Sequence, residues 1–490
     1  MFIPTLLHAE PVKEATIDYI SRSALPMQLN ESSGLIFWNG KLWSHNDSSG
    51  TDSIYGFSVT DPLKLEQYYT GAPNIDWEAI EQDEQYIYIG DFGNNKAIPR
   101  TDLCIFRITK KSLLNLSPVV DTIYFHYPEQ TDFSTRPKSE NTDFDCEAFI
   151  VSEDSLYLFT KQWIGNKTAL YSLPKTPGTY AAKYISTYNI EGLVTDATYL
   201  ESKNILALCC YSANYLKQYL YIFYDFEEND FFNGKKYKFN LNLGIFPHQT
   251  EGITTIDGGT YYVTNEYQPV SPQRLHIFDI NTYIKDYLLR PESADEIQGP
   301  VNICRDKRSV TYTIPTIPQA VSYEWTLPEG AVGGSISNSI EIVLNDTVTS
   351  GEISVRGVNM YGKGKTSSLT FTVHEKTETP HISISDSNRN ILYSSSSIGN
   401  QWYDQEGPIK GVTDTYYEVT TYGEYYVVVT VNGCSSAPSN IIKTGCVISP
   451  DEVPLLQTAP VHIPTDLHSL YKTPEKKEQK RYRIFFWRNK

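Results

Sequence analysis

Methionine and long apolar runs are both scarce in this sequence. Only 3 methionines occur in 490 residues, against 37 tyrosines and 20 phenylalanines, and strands favour aromatic and β-branched residues. No stretch reaches the roughly 18 uninterrupted apolar residues of a membrane-spanning helix, so we expect no transmembrane segment. The composition predicts an all-β protein, and the length predicts several domains.

Positive charge is also in short supply. The chain has 41 Lys and Arg against 58 Asp and Glu, a formal net charge of −17. Such a chain repels phosphate backbones, which argues against nucleic acid as a partner. Residues 1–10 resemble the back half of a signal peptide without its basic front half, and we interpret them as its remnant.

Several catalytic and structural signatures are missing. No pair of histidines has zinc spacing and no Gly-x-Ser-x-Gly elbow occurs. Seven cysteines leave at least one thiol unpaired. Cys434 and Cys446 can close a short loop in an oxidising compartment, and the adjacent Cys209 and Cys210 are expected to be buried.

What the first 290 residues do contain is a repeat. An acidic residue, a small residue, an apolar pair, a polar turn and an aromatic or β-branched strand recur five times, and similar third strands follow. The copies begin at Glu31, Glu78, Glu147, Asp196 and Glu251.

Four-stranded units of this length are typical of propeller blades. We therefore predict a five-bladed β-propeller over residues 11–292, with six blades as the alternative count. A fourth strand is missing after the fifth copy, and the N-terminal strand at 15–20 can supply it. Residues 127–143 are interpreted as a surface insertion.

The repeat predicts a site at one mouth of the channel, because each innermost strand starts there and each second strand ends there. Five converging carboxylates raise one another's pKa and need neutralising, for which Ca²⁺ with its oxygen ligands is the expected cation. The predicted metal ligands are Glu31, Glu78, Glu147, Asp196 and Glu251. The predicted ligand-binding residues are Asn46, Asp91, Asn94, Lys161, Asn265 and Glu266, and the candidate catalytic residues are His45, Asp47 and His248.

Three interpretations of these acids stay open. Each acid can accept hydrogen bonds from the backbone of a neighbouring blade and so hold the blades together, or the acids can bind a metal or ligand, or they can take part in catalysis. Because His45, Lys161 and His248 differ from blade to blade, the residues favour a real site on this face.

The second half changes character from Gly299 onward, with alternating Ser, Thr and Val and frequent turns. Residues 296–375 include Ala320 to Gly330 and Ser354 to Gly362 and resemble the PKD-like modules of secreted Bacteroidetes proteins. Residues 376–445, with Trp402 and Tyr422 to Val428, resemble an Ig-like companion module. Two immunoglobulin-like β-sandwiches are therefore predicted, followed by a linker and basic tail over 446–490 that we expect to be disordered, with attachment to an anionic surface as the alternative.

The first half also resembles a family. The phrases Glu31 to Leu35, Leu42 to Ser48, Asp76 to Ile80 and Ile89 to Asn95 are similar to those of lactonase-like bacterial propellers, and more distantly to calcium-activated apyrases. We expect a secreted or cell-surface protein that binds an extracellular glycan, protein or small molecule. The alternative is a metal-dependent hydrolase of the lactonase, esterase or nucleotide phosphohydrolase type.

Overall fold

A computed structural model describes residues 11–47, 51–227, 229–307 and 309–444. The proposed signal-peptide remnant and the basic tail lie outside this part of the chain, as does Cys446. The described residues fall into two compact units, one up to Thr377 together with 431–435, and one over 378–430 and 436–444. The prediction of an all-β chain is confirmed.

Residues 13–279 form five groups of four strands, which we call repeats 1 to 5. Each of repeats 1 to 4 is an antiparallel meander, as alternating apolar residues and short turns predict. Repeat 1 has β2 (Ser32–Trp38), β3 (Lys41–Asn46), β4 (Ser53–Phe57) and β5 (Leu65–Tyr69), and repeat 2 has β6 (Trp77–Gln82), β7 (Tyr86–Asp91), β8 (Cys104–Thr109) and β9 (Val120–His126). Repeat 3 has β10 (Asp145–Val151), β11 (Ser155–Lys161), β12 (Thr168–Pro174) and β14 (Lys183–Tyr188).

Repeats 4 and 5 are joined through the first strand of the chain. Repeat 4 has β15 (Leu193–Leu200), β16 (Ile205–Tyr211), β17 (Gln218–Tyr224) and β18 (Lys235–Asn242), and repeat 5 has β19 (Thr250–Thr255), β20 (Thr260–Asn265) and β21 (Arg274–Asp279). The strand β1 (Lys13–Ala24) pairs in parallel with β18 and then antiparallel with β21. It therefore supplies the fourth strand of repeat 5.

The first strands of the repeats contact one another in cyclic order. Strand β2 contacts β6, β6 contacts β10, β10 contacts β15, β15 contacts β19, and β19 contacts β2 again. Each interface between repeats is apolar. Between repeats 1 and 2, Trp43 is fully buried with Trp77 and Ile80. The Trp43 indole lies where a Cβ on Gly56 would come within 2.7 Å of it, so only glycine fits beneath this ring.

The repeats carry few additions. Strand β13 (Gly178–Ala181) adds in parallel to β9. The helices are short: α1 (Lys110–Leu114), α2 (Asn281–Leu288) and 3-10 turns at Met27–Leu29, Glu201–Lys203 and Phe231–Asn233. The insertion at 127–143 lies against the loop after β7, where Arg136 Nη1 donates to Asn94 O at 2.6 Å and Glu140 N to Asn95 O at 2.6 Å.

The remainder of the first unit contains two further sheets over one apolar core. Its strands are β22 (Asn302–Cys304), β23 (Ser309–Thr313), β24 (Ser322–Thr326), β25 (Ala331–Gly333), β26 (Ser339–Leu344), β27 (Ser350–Asn359), β28 (Gly362–Lys363) and β29 (Ser367–His374), and β36 (Cys434–Ser435) also falls in this unit. A disulfide joins Cys304 to Cys434. Pairing of Cys434 with Cys446 was therefore the wrong expectation, because strand placement rather than closeness in the chain brings two thiols together.

The second unit is a smaller set of strands. They are β30 (Ile382–Ile384), β31 (Ile391–Ser394), β32 (Asn400–Asp404), β33 (Gly407–Pro408), β34 (Tyr416–Glu418), β35 (Gly423–Val431) and β37 (Ile442–Thr444). Its core contains Trp402, which is fully buried with Leu392 and Val427. Trp402 therefore packs between sheets as its place in an alternating strand predicts, whereas Trp325 in the first unit is only partly buried.

Candidate functional site

Three of the five predicted acids occupy equivalent bulges. Glu78, Glu147 and Glu251 each lie where the pairing of the first strand with the second slips by one residue. A bulge leaves one residue outside the regular ladder and redirects its side chain. All three side chains reach one cavity, although they are far apart in the chain.

This acidic cavity has a volume of about 170 Å³. Seven carboxyl groups and two lysines line it, together with three aromatic side chains. The carboxyl groups belong to Asp47, Asp76, Glu78, Glu140, Glu147, Glu251 and Glu266, the lysines are Lys96 and Lys161, and the aromatic residues are Trp163, Tyr211 and Tyr215.

Lys161 supplies the buried positive charge of the acidic cavity. The residue is 2% exposed, and its ammonium forms an ion pair with Glu147. It also donates to the Tyr211 hydroxyl at 2.8 Å and lies 4.7 Å from the centre of the Trp163 ring. Burial alone would lower the pKa of Lys161, but Glu147 and the neighbouring anionic groups hold it well above its usual value.

Several carboxyl groups of the acidic cavity hold their protons more tightly than free acids. Burial, followed by the nearby Glu147 and Asp76 charges, raises the pKa of Glu78 well above its usual range. Burial also raises the pKa of Glu266, and it raises that of Glu251 to about 7 although Lys161 opposes the change. An added cation would therefore compete with protons for these oxygens.

Two further aspartates were missed by the sequence analysis. Asp76 is 4% exposed, and its Oδ1 accepts from Lys96 Nζ at 2.8 Å. Asp145 is fully buried and accepts from Asn94 N at 2.6 Å and from Trp163 Nε1 at 2.7 Å. Both stand two residues before a bulged glutamate, and this Asp-x-Glu spacing is the signal that could have found them.

Glu31 and Asp196 are not placed with the other three acids. Neither lines the acidic cavity among the described residues. Asp196 is fully buried, and its Oδ2 accepts from Ile253 N of the next repeat at 2.7 Å. This contact agrees with the interpretation in which an acid holds neighbouring repeats together. The residue at the bulge of repeat 4 is Thr195, and Ser33 takes the cavity-lining place in repeat 1.

Of the candidate catalytic residues, only Asp47 lines the acidic cavity. His45 is fully buried against Trp77, at 5.5 Å between ring centres, and burial lowers its pKa to about 4. His248 lies beside His276 in repeat 5, and burial also lowers its pKa. Both imidazoles are therefore neutral at pH 7 and are positioned in the packing of the repeats.

The predicted ligand-binding residues divide in the same way. Lys161 and Glu266 line the acidic cavity, whereas the other four are held by hydrogen bonds or ion pairs of the fold. Asn46 Oδ1 accepts from Glu31 N at 3.3 Å, and Asp91 forms an ion pair with Arg100 at 2.7 Å. Asn94 Nδ2 donates to Phe144 O at 3.1 Å, and Asn265 Oδ1 lies 2.8 Å from His276 Nε2.

A Ca²⁺ ion takes six to eight oxygen ligands, and carboxyl oxygens are plentiful in the acidic cavity. Across the described ranges, however, no three His, Cys, Asp or Glu side chains converge closely enough to hold a metal ion, and the ammonium of Lys161 already lies against Glu147. The residues as placed therefore do not form a ready-made Ca²⁺ site.

Comparison with known proteins identifies one module. Residues 290–371 match the family model of the PKD-like domain, close to the predicted 296–375. No curated protein matches the chain. The chain is thus an all-β multi-domain protein that contains a PKD-like domain, which is consistent with an extracellular binding protein. No helix in the described residues is both long and apolar enough to cross a bilayer.

Similarity to solved structures is low. A mouse coronavirus receptor-binding domain complexed with its murine receptor is 12% identical with a TM-score of 0.23, covering 30% of this chain and 98% of that one. Hydrazine synthase of Kuenenia stuttgartiensis is 8% identical with a TM-score of 0.25, covering 84% and 80%. Domains from titin are 12% identical with a TM-score of 0.21, covering 51% and 95%. These scores carry no argument about function.

Proposed function

We propose that the chain is a secreted or cell-surface binding protein that receives a positively charged ligand in the acidic cavity. The proposal rests on one observation, the excess of acidic groups in the cavity. Seven carboxyl groups and only two lysines line a volume of about 170 Å³. Buried carboxyl groups that retain protons for lack of a counter-charge favour any cation that can replace those protons.

The proposal includes the architecture that presents this cavity. Repeats 1 to 5 are taken as the blades of a five-bladed β-propeller, followed by two Ig-like sandwiches. Support comes from the cyclic contacts of the five first strands and from β1, which completes repeat 5. The PKD-like match supports the first sandwich. Such modules would act as a stalk that holds the propeller away from a surface.

Location outside the cytosol has separate support. The disulfide between Cys304 and Cys434 belongs to an oxidising compartment, because cytosolic thiols are normally kept reduced. The four cysteines of the repeats, Cys104, Cys146, Cys209 and Cys210, are all buried and free. Disulfide bonding is thus confined, among the described residues, to the later part of the chain.

Terbium luminescence tests whether the acidic cavity binds a cation. Tb³⁺ is a cationic probe that binds carboxyl oxygens and is excited through nearby indole rings, and Trp163 lies at the cavity. Titration of the full chain at pH 8 should give sensitised emission that Glu78→Gln weakens and Trp163→Phe largely removes. Glu153→Gln, an exposed acid in the turn between β10 and β11, is the matched control and should leave emission unchanged.

Competition then identifies the cation. Displacement of Tb³⁺ by Ca²⁺ would support the calcium expectation, and displacement by arginine amide but not by Ca²⁺ would support an organic cation. If neither Tb³⁺ nor arginine amide binds, the acidic cavity is not a cation site and the proposal fails.

The alternative function is a hydrolase of lactones, esters or nucleotides. Glu251 favours it, because a carboxyl group with a pKa of about 7 suits proton transfer near neutral pH. Screening those substrate classes with and without chelator decides between the functions. Turnover that Glu78→Gln abolishes would favour the enzyme, and cation binding without turnover would favour the binder.

A further inference from the structure

Several exposed apolar side chains are close in the chain to residues that line the acidic cavity. Each lies one or two residues along the chain from a residue that lines it, and four of the five repeats or their preceding loops contribute. Together they form what we call the apolar rim: Ile75, Ile98, Ile164, Leu216 and Tyr267, which are 49, 72, 60, 56 and 43% exposed.

The strand directions place every residue of the apolar rim at the same end of the repeats. In each repeat the first and second strands are antiparallel, so the chain preceding the first strand and the loop after the second strand are at the same end. Every rim residue is in one of these two segments. Ile245, 87% exposed in the loop that leads to β19, adds to the same face. Single exposed apolar residues need no explanation, but six at the same end of the repeats as one cavity favour an interaction surface.

The volume of the acidic cavity limits the size of the group that can enter it. Pockets for small-molecule ligands usually measure roughly 300–1,000 Å³, and this one measures about 170 Å³. That volume suits a single long side chain. The ammonium of Lys161 already occupies part of the acidic lining, which shows that a cationic group is compatible with it.

An unpartnered oxygen shows where such a group would bind. Asp76 is 4% exposed, and its Oδ2 has no hydrogen-bond partner among the described residues. A Cβ on Gly93 would lie 2.5 Å from this oxygen and 2.1 Å from Glu78 Oε1. Two carboxyl oxygens therefore converge beside a backbone position that has no side chain. A buried acceptor left without a donor is costly, and an N–H of a guanidinium or ammonium would satisfy it.

We propose that this face docks a protein partner that inserts one arginine or lysine side chain into the acidic cavity, while the apolar rim covers the apolar surface around that residue. The arrangement matches the way interface hot spots are built, with a buried charged or aromatic residue at the centre and contacts around it that exclude water. The inference rests on the proposed cation-binding function and names the class of partner.

Cyclised peptides test the docking on the full chain. One disulfide-closed peptide presents a single arginine between leucines, and its twin carries citrulline, which has nearly the same shape without the charge. By calorimetry the arginine peptide should bind about tenfold or more tightly than its twin, as expected for a buried charge-assisted hydrogen bond. Asp76→Asn should remove this preference. Lys96→Met, which frees Asp76 Oδ1 from its ion pair, should strengthen it.

The rim is tested separately. Leu216→Ser combined with Ile164→Ser should weaken the binding of both peptides by a similar factor. The control is Leu63→Ser, which is 64% exposed in the loop between β4 and β5 and therefore at the opposite end of repeat 1. Because these residues are exposed, the variants should fold normally, and circular dichroism checks that they do.

Three results with the two peptides would overturn the docking inference. They are equal binding of the arginine and citrulline peptides, an unchanged preference in Asp76→Asn, and no effect of the rim substitutions. If arginine amide or Tb³⁺ still binds in those cases, the cation-binding function stands and only the protein partner is lost. Rim-dependent binding of a neutral oligosaccharide instead of the peptides would also reject it.

Discussion

Replacing Lys161 by methionine should destabilise the first unit strongly, and more at high pH than at low pH. The lysine is 2% exposed and paired with an equally buried Glu147. Removing one member of a buried ion pair typically costs about 3–5 kcal/mol, because the remaining charge has no compensation. Methionine keeps most of the side-chain volume, so little of the loss would come from a cavity.

The pH dependence follows from Glu147. Burial already raises the pKa of this carboxyl group well above its usual value, and Lys161 is the main influence that opposes the rise. Without the lysine, Glu147 holds its proton to a still higher pH in the folded state. The unfolded chain releases that proton near its ordinary pKa of about 4.3. Wild type and variant lose stability in parallel until the pH reaches the raised folded-state pKa of wild-type Glu147. Above it only the variant goes on losing stability, up to the still higher pKa that Glu147 has there.

Denaturant unfolding of the full chain at pH 5 and pH 8 measures this effect, with hydrogen exchange of β10 and β11 to locate it. Lys41→Met is the matched control, since Lys41 and its partner Glu66 are 39% and 37% exposed and the change should cost at most about 1 kcal/mol. Lys161→Met with Glu147→Gln should recover part of the loss. An equal deficit at both pH values, or an equal effect of Lys41→Met, would refute the reasoning.

Three further predictions follow from the same structure. Gly93→Ala should destabilise the first unit by about 1–3 kcal/mol, because the added Cβ would meet the Glu78 and Asp76 oxygens. Denaturant unfolding measures the change. The control is Gly334→Ala, which has open space around it and should be close to neutral. Binding of arginine amide should strengthen between pH 6 and pH 8 as Glu251, with a pKa of about 7, gives up its proton; calorimetry that shows no change in that range would contradict this assignment. Non-reducing peptide mapping should recover a Cys304–Cys434 cross-link, and its reduction should lower the melting temperature by an amount that corresponds to about 2–5 kcal/mol.

Strand periodicity was the part of the fold that the sequence predicted well. Aromatic and β-branched alternation placed the strands of the repeats. The N-terminal strand does pair with β21, but through residues 19–24, and most of the predicted 15–20 pairs with β18 instead. The insertion at 127–143 was recognised from its Pro, Ser and Thr content. Its Glu140 nevertheless reaches the acidic cavity, which composition alone does not predict.

The site was predicted only in part. The reason is that the repeats were aligned on their acids and not on their strand register. In repeats 2, 3 and 5 the two alignments coincide, because the acid is itself the bulged residue, as Glu78 is in repeat 2. In repeat 4 the acid stands one residue after the bulge, so Asp196 points to the neighbouring repeat, and a shift of one residue turns a side chain to the other face. In repeat 1 the slip lies between Ser33 and Ile36, and Glu31 stands two residues before the cavity-lining Ser33, as Asp76 stands two residues before Glu78.

Strand β1 has a consequence for how the first unit is made. Residues 13–24 are synthesised before their partners, β18 and β21, which follow more than 200 residues later. Contacts so distant in the chain slow folding, because a long loop must close before they form. The last step of assembly would then bring the two ends of this region together, and a nascent chain that stops short of Asp279 would keep an exposed strand edge available to other chains.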